Sequence, residues 1–106
     1  MLEADIERHL VARVKELGGE VRKVRWVGRN SAPDRLVMIP RGFGVPGNYR
    51  LIPATVWVEL KNPDTIKTFP ADARERAQHR EHQRMRAMGQ RVEVIGTIEQ
   101  VEELLR

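Results

Sequence analysis

The sequence predicts an α/β fold, a small mixed β-sheet flanked by helices in the order αβββαβα. Three observations predict it. An apolar stripe with helical spacing opens the chain, two apolar runs with strand-like alternation occupy its middle, and a polar helix, a short apolar run and a capped apolar helix close it.

Taken in order, Leu2, Ile6, Leu10, Val14 and Leu17 recur at steps of four, four, four and three, an apolar face suited to packing on a sheet, and Gly18-Gly19 ends that helix. Glu3 and Glu7 flank the stripe one turn apart, where they can reach over the edge of whatever it covers. Residues 20–27 read as a strand with basic side chains on both faces, a mixture that suits a short edge strand. The 28–33 loop carries Arg29 and ends in Pro33, which biases Ala32 toward extended geometry and presents Asp34 at a strand start.

The runs 35–39 and 54–60 are expected to pair as an antiparallel hairpin. Setting Asp34 opposite Glu59 places the turn at Pro46-Gly47 and Pro40 opposite Pro53, where neither residue can donate to a ladder. Alternation then puts Trp57, Glu59 and Lys61 on one face and Val56, Val58 and Leu60 on the other. After Asn62-Pro63-Asp64 and a polar connector, a helix is expected over 71–88, with Ala77, Met85 and Met88 as its buried positions and Gly89 as its stop. A strand follows at 91–95. Thr97 and Gln100 form a capping box for a last helix that buries Ile98, Val101, Leu104 and Leu105.

At 106 residues the chain is expected to be one domain, 1–106. Its composition, 41% hydrophobic and 32% charged, is that of an ordinary globular protein, and no apolar run is long enough to cross a bilayer. The start lacks the basic and apolar regions of a secretory signal, so a cytoplasmic location is expected. With no cysteine, thiolate nucleophiles and cysteine zinc sites are excluded. The net charge of +4 favours a polyanionic partner whose binding weakens with salt.

The chemistry concentrates at Asp34, Glu59 and Lys61. Two carboxylates about 4 Å apart repel by roughly 4 kcal/mol at an effective dielectric near 20. A divalent cation offsets that repulsion, and Mg²⁺ takes one or two carboxylates with waters and phosphate oxygens. Lys61 beside it suits orienting or deprotonating water, or neutralising charge on a phosphate. This is the chemistry of phosphodiester hydrolysis.

With these residues in place the chain resembles the VRR-NUC (virus-type replication-repair nuclease) family, in its stand-alone, phage-like form, within the PD-(D/E)xK nuclease superfamily. The resemblance rests on Glu3 and Ile6, Gly18-Gly19, Lys23, Gly28, Ala32-Pro33-Asp34-Arg35-Leu36, Val58-Glu59-Leu60-Lys61, Gln78 and Met88-Gly89. It implies a restriction-endonuclease-like sheet and an endonuclease that uses Mg²⁺ or Mn²⁺ on flapped or Holliday-junction-like DNA in replication, repair or recombination, working as a homodimer. It further implies Asp34 and Glu59 as metal-binding carboxylates with the Leu60 carbonyl beside them, Lys61 as the catalytic lysine and Gln78 as a supporting glutamine. Glu3 is assigned as the helix carboxylate by its spacing from Ile6, with Glu7 the alternative one turn on. The 65–72 connector departs from the family pattern, which leaves the start of its helix open. A non-catalytic DNA-binding module on the same scaffold is the competing reading, and a nuclease for RNA a third.

Lys23, Arg25 and Arg29 form a basic cluster expected to contact phosphate near Asp34. Arg74, Arg76, Arg80, Arg84 and Arg86 read as a solvated helix face, with Glu75 and Glu81 as their partners. His9, His79 and His82 are expected at polar positions, His82 with the option of facing the sheet. Packing is favoured over base stacking for Trp26 and Trp57. The 41–50 loop, with Phe43 and Tyr49, offers a surface for DNA or a second subunit.

Overall fold

Glu3–Glu16 forms the first helix, α1, in a computed structural model that describes residues 1–40 and 55–106. Its stripe is narrower than the spacing predicted. Ile6, Leu10 and Val14 are fully buried, whereas Leu2 and Leu17 sit at the two caps with exposed side chains. The helix start is fixed by Asp5, whose carboxylate accepts the Leu2 backbone N–H at 2.7 Å. Gly19 lies against the sheet so closely that a Cβ there would stand 2.2 Å from the Met38 carbonyl oxygen, so only glycine allows the turn into the first strand.

The strands are β1 (Glu20–Lys23), β2 (Arg35–Met38), β3 (Thr55–Leu60) and β4 (Val92–Ile95), in the sheet order β1-β2-β3-β4. The first two pairings are antiparallel and β3 pairs with β4 in parallel, which makes the sheet mixed. Arg35 stands opposite Val58 and Met38 opposite Thr55, the register that pairing Asp34 with Glu59 requires. The expected turn at Pro46-Gly47, the Pro53 partner of Pro40, and Phe43 and Tyr49 lie outside the described residues. β1 is an edge strand, as its mixed faces indicated, but it ends at Lys23 rather than continuing to residue 27.

The two faces of the sheet carry different chemistry, and the helices are sorted accordingly. Val37, Val56, Val58 and Leu60 point to one side and pack with α1 and with α3 (Ile98–Leu105), through Val101 and Leu104, in one apolar core. The opposite face of β3 presents Trp57, Glu59 and Lys61 and is approached by α2 (Ala73–Ala87), which follows a 3-10 turn at Thr65–Thr68. α2 therefore buries Gln78, Glu81, His82 and Met85, not Ala77 and Met88. Met88 is exposed and Ala77 only partly covered. A helix on a polar strand face needs few apolar residues, which is why its composition was a poor guide to its buried side. Gly96 seats the 3-10 turn, because a Cβ there would come within 2.5 Å of Ile66 Cβ. Among the described residues no helix is long and apolar enough to cross a membrane.

Candidate active site

Asp34 immediately precedes β2 and continues its register toward Glu59 on β3. Its Oδ1 accepts the Leu60 backbone N–H at 3.1 Å, which pins the carboxylate over the end of β3. Leu60 itself buries its side chain in the core. The ladder runs one residue further, with the Lys61 N–H donating to the Ile95 carbonyl at 2.7 Å, so Lys61 stays extended and projects on the same face as Glu59. Sheet pairing alone brings the three groups together.

Their environment is costly for negative charge. Burial, the neighbouring Glu59 charge and a hydrogen bond shared with Glu59 push the Asp34 carboxyl up to about 7, although the Leu60 N–H and Arg35 act in the other direction. Glu59 is also raised, chiefly by burial, while its hydrogen bond to Asp34 and the Lys61 and Arg74 charges pull it down. Glu59 Oε1 is buried with no hydrogen-bond partner. His82 Nε2 stands 3.4 Å from it, but without hydrogen-bond geometry. Burial holds the imidazole down to about 4, so His82 is neutral at pH 7 and the contact is not an ion pair. Its ring stacks on Phe69 at 6.0 Å between centroids. His82 thus faces the sheet, the second of the two positions open to it.

This donor set fits a hard divalent cation: two oxygen ligands under mutual repulsion, one with an oxygen lacking any partner, at a backbone strand end. Among the described residues no group of three or more His, Asp or Glu side chains is gathered as a metal cage. A cation at Asp34 and Glu59 would accordingly complete its shell with backbone carbonyl and water, the way Mg²⁺ is commonly held.

The helix carboxylates separate in their roles. Glu7 is committed to an ion pair with Arg35. Glu3, at the first turn of α1, is raised by partial burial and then by the Asp34 charge, and Lys61 and Arg35 act on it in the opposite sense. It therefore shares the field of the Asp34 and Lys61 cluster. Lys61 is nearly buried, with its ammonium 3.1 Å from Gln78 Oε1, 2.9 Å from Glu75 Oε2 and 5.1 Å from the centre of the Phe69 ring. Gln78, expected as a supporting glutamine, thus stands against Lys61. Glu75 belongs to this cluster and not to the arginines it was expected to pair with; only its three-residue offset from Gln78 could have indicated the shared helix face.

A cavity of about 780 Å³ is lined by Asp34 and Glu59, by Arg25, Trp26 and Arg29 of the preceding loop, and by Arg74, Ala77 and Gln78 of α2, with Lys61 and Glu3 outside the lining. Arg25 and Arg29 stand where phosphate contact was expected. Lys23 lies at the end of β1, outside the lining. Arg29 also donates to Glu81 at 2.7 Å, and Trp26 Nε1 donates to the other Glu81 oxygen at 2.8 Å. Burial raises Glu81, but Arg84, Trp26 and Arg29 outweigh it and leave the carboxylate below its usual range. Glu81 thereby fastens the 24–34 loop to α2. Trp26 packs on Trp57 at 5.7 Å, the packing role favoured from sequence, while part of it lines the cavity. Arg74 was read as part of a solvated face, yet it lines the cavity and acts on Glu59.

No family model matches the chain. It is 37% identical over 93 residues, 88% of its length and 81% of the relative's, to a protein named "Putative nuclease p44" from Acyrthosiphon pisum secondary endosymbiont phage 1. A solved structure described as a VRR_NUC domain superimposes with a TM-score of 0.70 at 33% identity, over 96% of this chain and 91% of that one.

Proposed function

The chain belongs to the VRR-NUC nuclease family, and from that premise we propose that it is a divalent-metal-dependent endonuclease that hydrolyses phosphodiester bonds in flapped or junction DNA. The observation that supports this most is the pair of carboxylates, half-buried Asp34 and buried Glu59, facing each other at the strand ends with the Lys61 ammonium on the same face. Asp34, Glu59 and the Leu60 carbonyl are the groups that would hold Mg²⁺ or Mn²⁺. When bound, such a cation supplies Lewis acidity and lowers the pKa of a coordinated water.

The residues divide the remaining work. Glu3 reaches in from α1 as the helix carboxylate and accepts hydrogen bonds from water at the site. Lys61 presents an ammonium to the phosphate, where it stabilises charge that develops as the bond breaks. Gln78 holds that ammonium in place. Arg25 and Arg29, with Arg74 opposite them, bind flanking phosphates, and Lys23 extends the basic track along the edge of the sheet. A homodimer is part of this reading, supported by the resemblance of the chain to stand-alone members of the family, and light scattering checks it.

The test is cleavage of 5′-flap, four-way-junction and linear duplex DNA with Mg²⁺ or Mn²⁺, for the wild type and Lys61→Ala. The expected result is faster cutting of flap or junction DNA than of linear DNA, reduced to a slow residual rate in the variant. Equal cutting of all three would remove the branched substrate, and binding without cutting would leave a DNA-binding module.

A further inference from the structure

Glu75 is a nearly buried carboxylate that hydrolysis as described does not use. Its Oε2 lies 2.9 Å from Lys61 Nζ, with the two side chains 12% and 10% exposed. Its Oε1 accepts the Ala71 backbone N–H at 2.9 Å, and its own N–H donates to the Asp72 cap at 2.8 Å. One carboxylate therefore closes the start of α2 with one oxygen and holds the lysine with the other. The Lys61 ion pair is the first cause of the lowered Glu75 carboxyl, with the Ala71 N–H second.

We propose that Glu75 is a positioning residue for Lys61, fixing where its ammonium stands at the site. Lysine has a flexible four-carbon stem and a head that gives no preferred direction by itself. Here the head is bounded by Glu75, by Gln78 one turn further along the same helix face, and by the Phe69 ring. All three come from the 69–78 segment, so side chains of one short stretch of chain set the position of the ammonium. Gln78 alone offers one neutral acceptor. The carboxylate adds a bond between two opposite charges at low exposure, a stronger restraint on the ammonium than the amide oxygen alone.

The proposal rests on the reading of Lys61 as a residue that acts in hydrolysis, and its test separates the two. Single-turnover cleavage of junction DNA with Mg²⁺ is measured for wild type, K61A, E75A, E75Q, D72A and the K61A/E75A double variant. E75A is expected to lower the single-turnover rate constant at saturating enzyme on the order of tens of fold, with little change in the half-saturating enzyme concentration, the scale that misplacing a reacting group produces. E75Q should recover part of the loss, because its amide oxygen still accepts from the ammonium. In the K61A background E75A should cost nothing further. D72A, which removes a helix cap but leaves the lysine contact, should cleave within about twofold of wild type, since losing one cap frays a helix end without undocking the helix.

Wild-type rates in E75A, an equal loss from E75A with or without Lys61, or a loss in D72A matching that of E75A would each overturn the proposal. K61A cleaving like wild type would instead overturn the hydrolytic role of Lys61. Urea unfolding of wild type, K61A, E75A and the double variant reads the pair without any cleavage. Non-additive midpoint shifts are expected, and additive ones overturn the pairing even if no DNA is cut.

Discussion

Replacing Asp34 by Asn should make the metal-free protein more stable at pH 8 while abolishing its activity. The Asp34 carboxyl is raised from 3.8 to about 7, chiefly by burial and then by Glu59. Between those values the folded chain keeps a proton that the unfolded chain has lost. The associated stability is full below pH 4 and disappears as the pH rises through 7. A shift of about three units at ~1.4 kcal/mol each sets a ceiling near 4 kcal/mol. Because the Asp34 side chain is 30% exposed, solvent screening and sharing of the proton with Glu59 bring a realistic figure to about 2 kcal/mol. Asparagine preserves the acceptor for the Leu60 N–H and offers an N–H to Glu59, with no charge to remove from water. Urea unfolding in EDTA at pH 5 and pH 8 measures it. D34N should exceed wild type by about 2 kcal/mol at pH 8, worth roughly 8 °C in Tm, and by much less at pH 5. Adding Mg²⁺ at pH 8 should stabilise wild type and not the variant. Parallel pH profiles for the two proteins would refute the claim that the Asp34 charge is under strain.

Other predictions follow from the same contacts. His82 is held down to about 4 from 6.5 by burial, so its contribution has the opposite sign: stability present above pH 6.5 is lost as the pH falls toward 4. His82→Phe keeps the stack on Phe69 and should flatten that acid limb in urea unfolding. Ile6→Ala should cost about 2 to 5 kcal/mol, the range for truncating a fully buried aliphatic side chain, since Ile6 docks the turn of α1 that bears Glu3. Arg25→Ala should reduce the salt dependence of DNA binding by about one phosphate, read as the slope of log K against log salt. Arg29→Ala should do the same and also lower thermal stability, because Arg29 pairs with the buried Glu81.

The legible part of this fold is the part set by alternation. The hairpin register, the common face of Glu59 and Lys61, and Asp34 at the strand start all follow from a period of two and from pairing Asp34 with Glu59. The Ile6, Leu10 and Val14 stripe was equally plain, because apolar residues on a helix declare the face they bury. α2 was not. Its buried side is Gln78, Glu81, His82 and Met85, and in a helix of mostly charged residues nothing in the spacing distinguishes a glutamate that solvates from one that anchors a loop. The same ambiguity hid Glu75 among the arginines. Its partner lies on β3, and only the placement of α2 over the polar strand face brings the two together.

The most direct test of the central claim, that Asp34 and Glu59 support metal-dependent hydrolysis with Lys61 beside them, is single-turnover cleavage of junction DNA by wild type and Glu59→Gln, in EDTA and after Mg²⁺ is restored. No cleavage is expected in EDTA, with recovery in Mg²⁺ for the wild type and none for the variant. Cleavage that persists in EDTA, or that returns equally in Glu59→Gln, would contradict that claim.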